Sequence, residues 1–191
     1  MKERILVAGI GNVFLGDDAF GVETVQQLLR ETGLPPEVRV RDFGIRSYDL
    51  AYEIAAGYEA VILVDAVPRG EEPGTIFLIE PDASELGELP PVAVNAHALS
   101  PMRALQMARS LNQELGRIYL VGCEPAVLMT DDGLMGLSKP VAAAVPQALK
   151  LIREIVVEAL NQVPPKRALV AAMNAQIQQA TISGQSVLAK K

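Results

Sequence analysis

A single cysteine, Cys123, in 191 residues excludes an intramolecular disulfide and any zinc site built from several thiolates. Histidine is as scarce. His97 is the only one, so the H-E-x-x-H helix of the common zinc proteases cannot be written. Positive charge is short too: 17 Lys and Arg against 23 Asp and Glu leave a net charge of −6. That balance argues against nucleic acid or an anionic membrane as the main partner. The opening MKERILVAGIGN is too short an apolar run, broken by glycine, for a signal peptide or a spanning helix. No segment repeats. A cytoplasmic protein is the simplest account.

What is present is globular in composition, half apolar and 21% charged. The length suits one domain with a proper core. Short apolar runs alternate with helical patterns. Strands are expected at Arg4 to Ala8, Val38 to Val40, Ala60 to Val64, Thr75 to Ile79 and Arg117 to Gly122, the fourth at an edge. Between them fall a helix over Ala19 to Glu31 with Val22, Val25, Leu28 and Leu29 on one face, and a short one over Leu50 to Ala56 closed by Gly57. Ser100 and Pro101 open a third helix carried by Met102, Leu105, Ala108, Leu111 and Leu115 to Gly116. Ser138 and Pro140 open a long fourth one to about Leu160, with Pro146 as a candidate kink. Alternation of this kind predicts an α/β domain over 1–163, its mostly parallel sheet covered on both faces. The double proline Pro164-Pro165 marks a boundary. The tail beyond it, 164–191, reads as a docking helix through Leu169, Met173 and Ile177 or as partly disordered chain.

In open α/β sheets, sites lie beyond the carboxyl ends of the strands. Asp17 and Asp18 follow the first strand, Asp42 the second, Asp65 the third and Cys123 the fifth, while His97 precedes a helix. The stretch GIGNVFLGDDAFG, Gly9 to Gly21, begins like a dinucleotide-binding loop, but Phe14 stands where that fingerprint needs its third glycine. Two carboxylates at the helix start would also compete with pyrophosphate for the positive end of the dipole. One of them suffices as a helix cap, which leaves the other free to project. Asp65 directly after an apolar strand is hard to explain as structure alone, since burying an unpaired carboxylate is costly. Asp18, Asp65 and His97 together offer two carboxylates and one imidazole, a set suited to nickel, zinc, manganese or iron with positions left open for substrate. Three rivals stand beside that reading: a nucleotide-binding domain resting on Gly9, Gly11 and Asp42; a cysteine hydrolase using Cys123 and His97; and a non-catalytic adaptor.

The motif G-x-G-N-x-x-x-x-D-[DE]-x-x-G over Gly9 to Gly21, VILVDAV, the histidine in VNAHALS, and LVGCEP and GLS in that order resemble the hydrogenase maturation endopeptidases. These trim the C-terminal extension from the large-subunit precursor of nickel–iron hydrogenases. The similarity runs from about Arg4 to Leu160 and implies a three-layer α/β/α fold with about five strands. It carries the family's metal-contacting and catalytic positions onto Asp18, Asp65 and His97. The resemblance further implies that the metal is nickel already held by the precursor, with no organic cofactor, and that the free enzyme is a monomer. Where many members have a glycine- and threonine-rich loop after the second strand, this chain reads DFGIRS, Asp42 to Ser47. Asp17, Asp42, Gly44 and Arg46 are therefore candidate substrate contacts. The general base would be one of the metal-site acids or Asp17. The tail has no family counterpart.

Overall fold

Two of the strands are buried along their whole length, β1 (Ile5–Ile10) and β3 (Ala60–Ala66). They lie side by side in the middle of a sheet covered on both faces, which is why they read as unbroken apolar runs. The computed structural model describes residues 2–81, 101–112, 114–128 and 133–161. Around the central pair, β2 (Val38–Gly44), β4 (Ile76–Ile79) and β5 (Arg117–Cys123) complete the order β2-β1-β3-β5-β4. All neighbours are parallel except β4, which runs antiparallel to β5 at one edge.

Alternate residues of the strands feed two separate cores. Val7, Ile62 and Val64 pack with α1 (Phe20–Arg30) and α4 (Lys139–Leu160) on one face. On the other, Leu6, Ala8, Val61 and Leu63 pack with α2 (Ser47–Ala55) and α3 (Pro101–Leu111). The result is the expected three-layer α/β/α sandwich. The other edge strand, β2, sets Arg39 against Glu3 and Glu53 and pairs Arg41 with Glu53, a charged fringe that discourages pairing with a second sheet.

Several boundaries differ from the sequence reading. Helix α3 stops at Leu111 instead of running to Gly116. There the Asn112 side-chain amide turns to donate to the Ala55 carbonyl, 3.2 Å, tying α3 to the end of α2. Its core face is Ala104, Leu105 and Ala108, while Met102 and Leu111 are exposed; Leu29 on α1 is likewise exposed. Helix α2 begins at Ser47, three residues before the expected start. Pro146 lies within α4, which continues past it as one helix. The tail from 164 onward lies outside the described residues.

The chain leaves β1 toward β2 on one side and later returns to β3 on the other, so the switch point of the sheet falls at the carboxyl ends of β1 and β3. The glycines of the signature stretch work here by having no side chain. A Cβ on Gly21 would fall 2.0 Å from the Val64 carbonyl oxygen and 2.4 Å from that of Ile10. A Cβ on Gly9 would meet Val25 and the Gly21 carbonyl. Helix α1 thus touches the two strands at backbone distance. Gly21→Ala must push it away, and we expect a loss of about 3 kcal/mol, read as a fall in Tm of roughly 6–12 °C for a domain of this size.

Candidate active site at the carboxyl edge of the sheet

The turn between β1 and α1 decides which of the two adjacent aspartates faces where. Gly11 has φ 129°, and its missing Cβ leaves room for the Asp18 carbonyl, which a Cβ would meet at 1.7 Å. That close approach folds the turn back on itself, so the Asn12 amide donates to Asp18 Oδ2 at 2.6 Å. A phosphate loop would offer this N–H to its ligand. Here the protein's own carboxylate takes it, which removes the main support for a nucleotide site at Gly9 and Gly11.

Asp65 is the next-to-last residue of β3 and is 7% exposed. Its one hydrogen bond among the described residues comes from the adjacent Ala66 amide to Oδ1, 2.9 Å. Burial, and then the nearby charge of Asp18, push its pKa up to about 8, against that single bond. Asp18 is also raised, by burial, with the Asn12 amide opposing. Two carboxyls that both resist ionisation stand together at the switch point, without a described cation to relieve them. Among the described residues no three side chains of His, Cys, Asp or Glu converge as a metal site. His97, the third member expected from the sequence, lies outside the described residues.

Asp17, considered from the sequence as substrate contact, helix cap or general base, is not a side-chain cap and is taken up in a structural network. Its side chain is fully buried. Oδ2 accepts from the amides of Ala126 (2.8 Å) and Val127 (2.9 Å) and from the Ser138 hydroxyl (2.9 Å), and Oδ1 accepts from the Ser138 amide (2.6 Å). Burial opposes its charge, but the bonds from Ser138, Val127 and Ala126 hold its pKa below the ordinary value. Four hydrogen bonds thus engage the buried Asp17 carboxylate in holding the fold. It binds the end of β5 and the start of α4 to the signature turn. Neither Asp17 nor Asp18 caps α1 through its side chain.

The remaining candidates line the same edge. Asp42 Oδ2 accepts from the Gln26 side-chain amide, 3.2 Å, and its carbonyl accepts from the Arg46 guanidinium, 2.5 Å. Gly44, at φ 53°, accepts from the Gly11 amide at 3.1 Å, so the loop after β2 is anchored to the signature turn. Arg46 is more than half exposed and also lies 3.6 Å from Asp49. Cys123 is buried at the end of β5, and burial pushes its thiol up to about 12. A thiol so placed is inert, which argues against the cysteine-hydrolase rival.

Three contributors escaped the sequence reading. Asn12 supplies the amide that orients Asp18, Ser138 supplies both a hydroxyl and an amide to Asp17, and Glu124, buried, accepts from the Arg69 (2.7 Å) and Gly70 (3.2 Å) amides to fix the loop after β3. Ser138 and Glu124 stand in GLS and LVGCEP, so the signal was present without its meaning.

Fold and site define a small three-layer α/β protein with two carboxyls, Asp18 and Asp65, gathered at the switch point of its mostly parallel sheet. A family model described as hydrogenase maturation protease matches residues 22–155. The chain belongs to that family, and is accordingly a protease. It is 34% identical over 154 residues to a protein of Methanocaldococcus jannaschii provisionally named a hydrogenase maturation protease, covering 79% of this chain and 95% of that one. The structure resembles the hydrogenase maturating endopeptidase HybD of Escherichia coli, with TM-score 0.67, 27% identity, and coverage of 82% and 93% of the two chains. It also resembles the [NiFe] hydrogenase maturation protease HycI of Thermococcus kodakarensis, with TM-score 0.62, 29% identity, and coverage of 81% and 93%. Among the described residues no helix is long and apolar enough to cross a membrane.

Proposed function

We propose that the protein is an endopeptidase that removes the C-terminal extension of a nickel–iron hydrogenase large-subunit precursor, using nickel already bound in that precursor to recognise it. The observation that carries this reading is the pair of raised carboxyls, Asp18 and Asp65, at the switch point. Alone, the pair retains a proton near neutral pH. A divalent cation brought in by the substrate would let both ionise, converting an unfavourable like-charge pair into two ligands. With His97 as a third ligand, the nickel would polarise the scissile carbonyl or a water beside it. No organic cofactor enters. Asp17 being engaged elsewhere, the proton from the attacking water passes to Asp18 or Asp65. Asp18 is the more accessible of the two, and among the described residues nothing binds its Oδ1. Arg46, exposed on the loop after β2, would face the substrate chain. A cytoplasmic site of action and a free monomer go with this reading.

The experiment is in vitro processing of nickel-loaded and metal-free precursor side by side, read by mass spectrometry. A discrete C-terminal fragment from the loaded form alone is the expected result, lost in Asp18→Ala and His97→Ala while the fold is retained. Cleavage of both forms at equal rates would overturn the nickel test. An intact loaded precursor that nevertheless binds would make the protein an adaptor.

A further inference from the structure

Beside the signature turn lies a second short segment held against it with unusual care. Leu15 and Leu134 form an isolated parallel bridge. The Leu134 amide donates to the Phe14 carbonyl at 3.0 Å, and the Gly16 amide to the Leu134 carbonyl at 2.6 Å. Gly133 and Gly136, at φ 71° and 86°, bracket Leu134 and Met135. The Asp17 carboxylate and the Asp17 amide, which donates to the Val127 carbonyl at 2.9 Å, anchor the same side of the turn. All this fixes side chains that water should not favour: Phe14 is 60% exposed, Leu134 40% and Met135 73%.

Loop tips are ordinarily polar and mobile, and ordering them costs entropy. Two segments tied by main-chain bonds that together present three large apolar groups have met part of that cost, the arrangement of a preorganised binding surface. Its position says what it binds. Phe14 lies in the turn between Asn12, whose amide holds the Asp18 carboxylate, and Asp18 itself. A peptide brought to Asp18 therefore comes up to the turn that also carries Phe14. Of the other exposed apolar side chains, Ile45 stands on the loop after β2, while Tyr48 and Tyr52 on α2 and Val157 on α4 lie on helices outside the signature turn.

We propose that Phe14, Leu134 and Met135 form the apolar seat for the stretch of the precursor next to the scissile bond. The occupant is an extended segment with aliphatic or aromatic side chains. This rests on the reading of the protein as a processing protease and adds the residues that grip the substrate away from the reacting atoms. Such a grip acts equally on ground and transition states, so its loss raises KM and spares kcat.

The test is steady-state processing of nickel-loaded precursor by wild type, by the double variant Phe14→Ser/Met135→Ser, by the conservative Phe14→Leu/Met135→Leu, and by Val157→Ser as control. In the serine double variant KM is expected to rise about tenfold or more, the scale of two apolar groups losing their burial, with kcat within about twofold and Tm unchanged. The leucine double variant recovers most of the affinity, and the control matches wild type. Wild-type KM in the serine variant, with the wild type active, overturns the seat and leaves the protease reading standing. A wild type that leaves the loaded precursor uncut removes the protease reading and the seat with it.

Discussion

Asp65→Asn is expected to give a protein that no longer cleaves and yet unfolds at a higher temperature than the wild type. The loss should be about three orders of magnitude or more, as for removal of a central catalytic group. The gain follows from the cost of keeping a carboxyl at the buried end of β3 beside Asp18. Asparagine keeps an oxygen for the Ala66 amide and offers its own N–H groups to Asp18 in place of a like charge. The sign with pH is fixed by the direction of the shift. The folded value, about 8, lies above the unfolded value of about 3.9. The fold therefore favours the protonated form, and the contribution of this group is fully present below the unfolded value and lost as pH rises through the folded one. Near pH 4 wild type and variant should be alike. At pH 7.5 the variant should lead by a few kcal/mol, read as a clear rise in Tm. Equal Tm across that range, or an active Asp65→Asn, would remove Asp65 from the role given to it.

Asp17→Ala carries the largest expected loss of stability. Three backbone amides and a hydroxyl converge on this carboxylate in a buried place, and each donor left without an acceptor costs about 1–3 kcal/mol. Partial relaxation of the loop makes about 4 kcal/mol a reasonable total, readily measured by urea denaturation. Asp17→Asn should lose less, because one oxygen can still serve the three donors now gathered on Oδ2. Here the linkage runs opposite to that of Asp65. The folded pKa is depressed, so the stabilisation is present above the unfolded value and lost as pH falls through the folded one. Adjacent acids on either side of the same turn, Asp17 and Asp18, therefore have opposite effects on the resting fold. An Asp17→Ala variant with wild-type stability at pH 7 would show that the four bonds contribute nothing net.

The contrast explains what could and could not be seen in the chain alone. β1 and β3 are legible because burial on both faces makes every position apolar. The five-strand α/β plan, the edge position of β4 and the placement of Asp65 at a strand end and Asp18 in the turn after a strand all follow from that alternation. The end of α3 is not legible, because Leu115 fits the helical period while the interruption comes from a tertiary contact, Asn112 with Ala55. The roles within Asp17-Asp18 are hidden for the same reason. Two identical residues in succession differ only in what lies opposite each, and the donors at Ala126, Val127 and Ser138 come from more than a hundred residues further along.

The seat of Asp18 is built almost wholly from main chain, with Gly11 and Gly21 packed against carbonyl groups at distances no other residue permits. Such a joint has no side-chain volume to trade, so it cannot be retuned by small steps. Room for change is left to the loops around it, Asp42 to Ser47 and the segments that carry Phe14 and Met135. An engineer who wished to redirect the protein to a new client would exchange those loops and leave the glycines untouched.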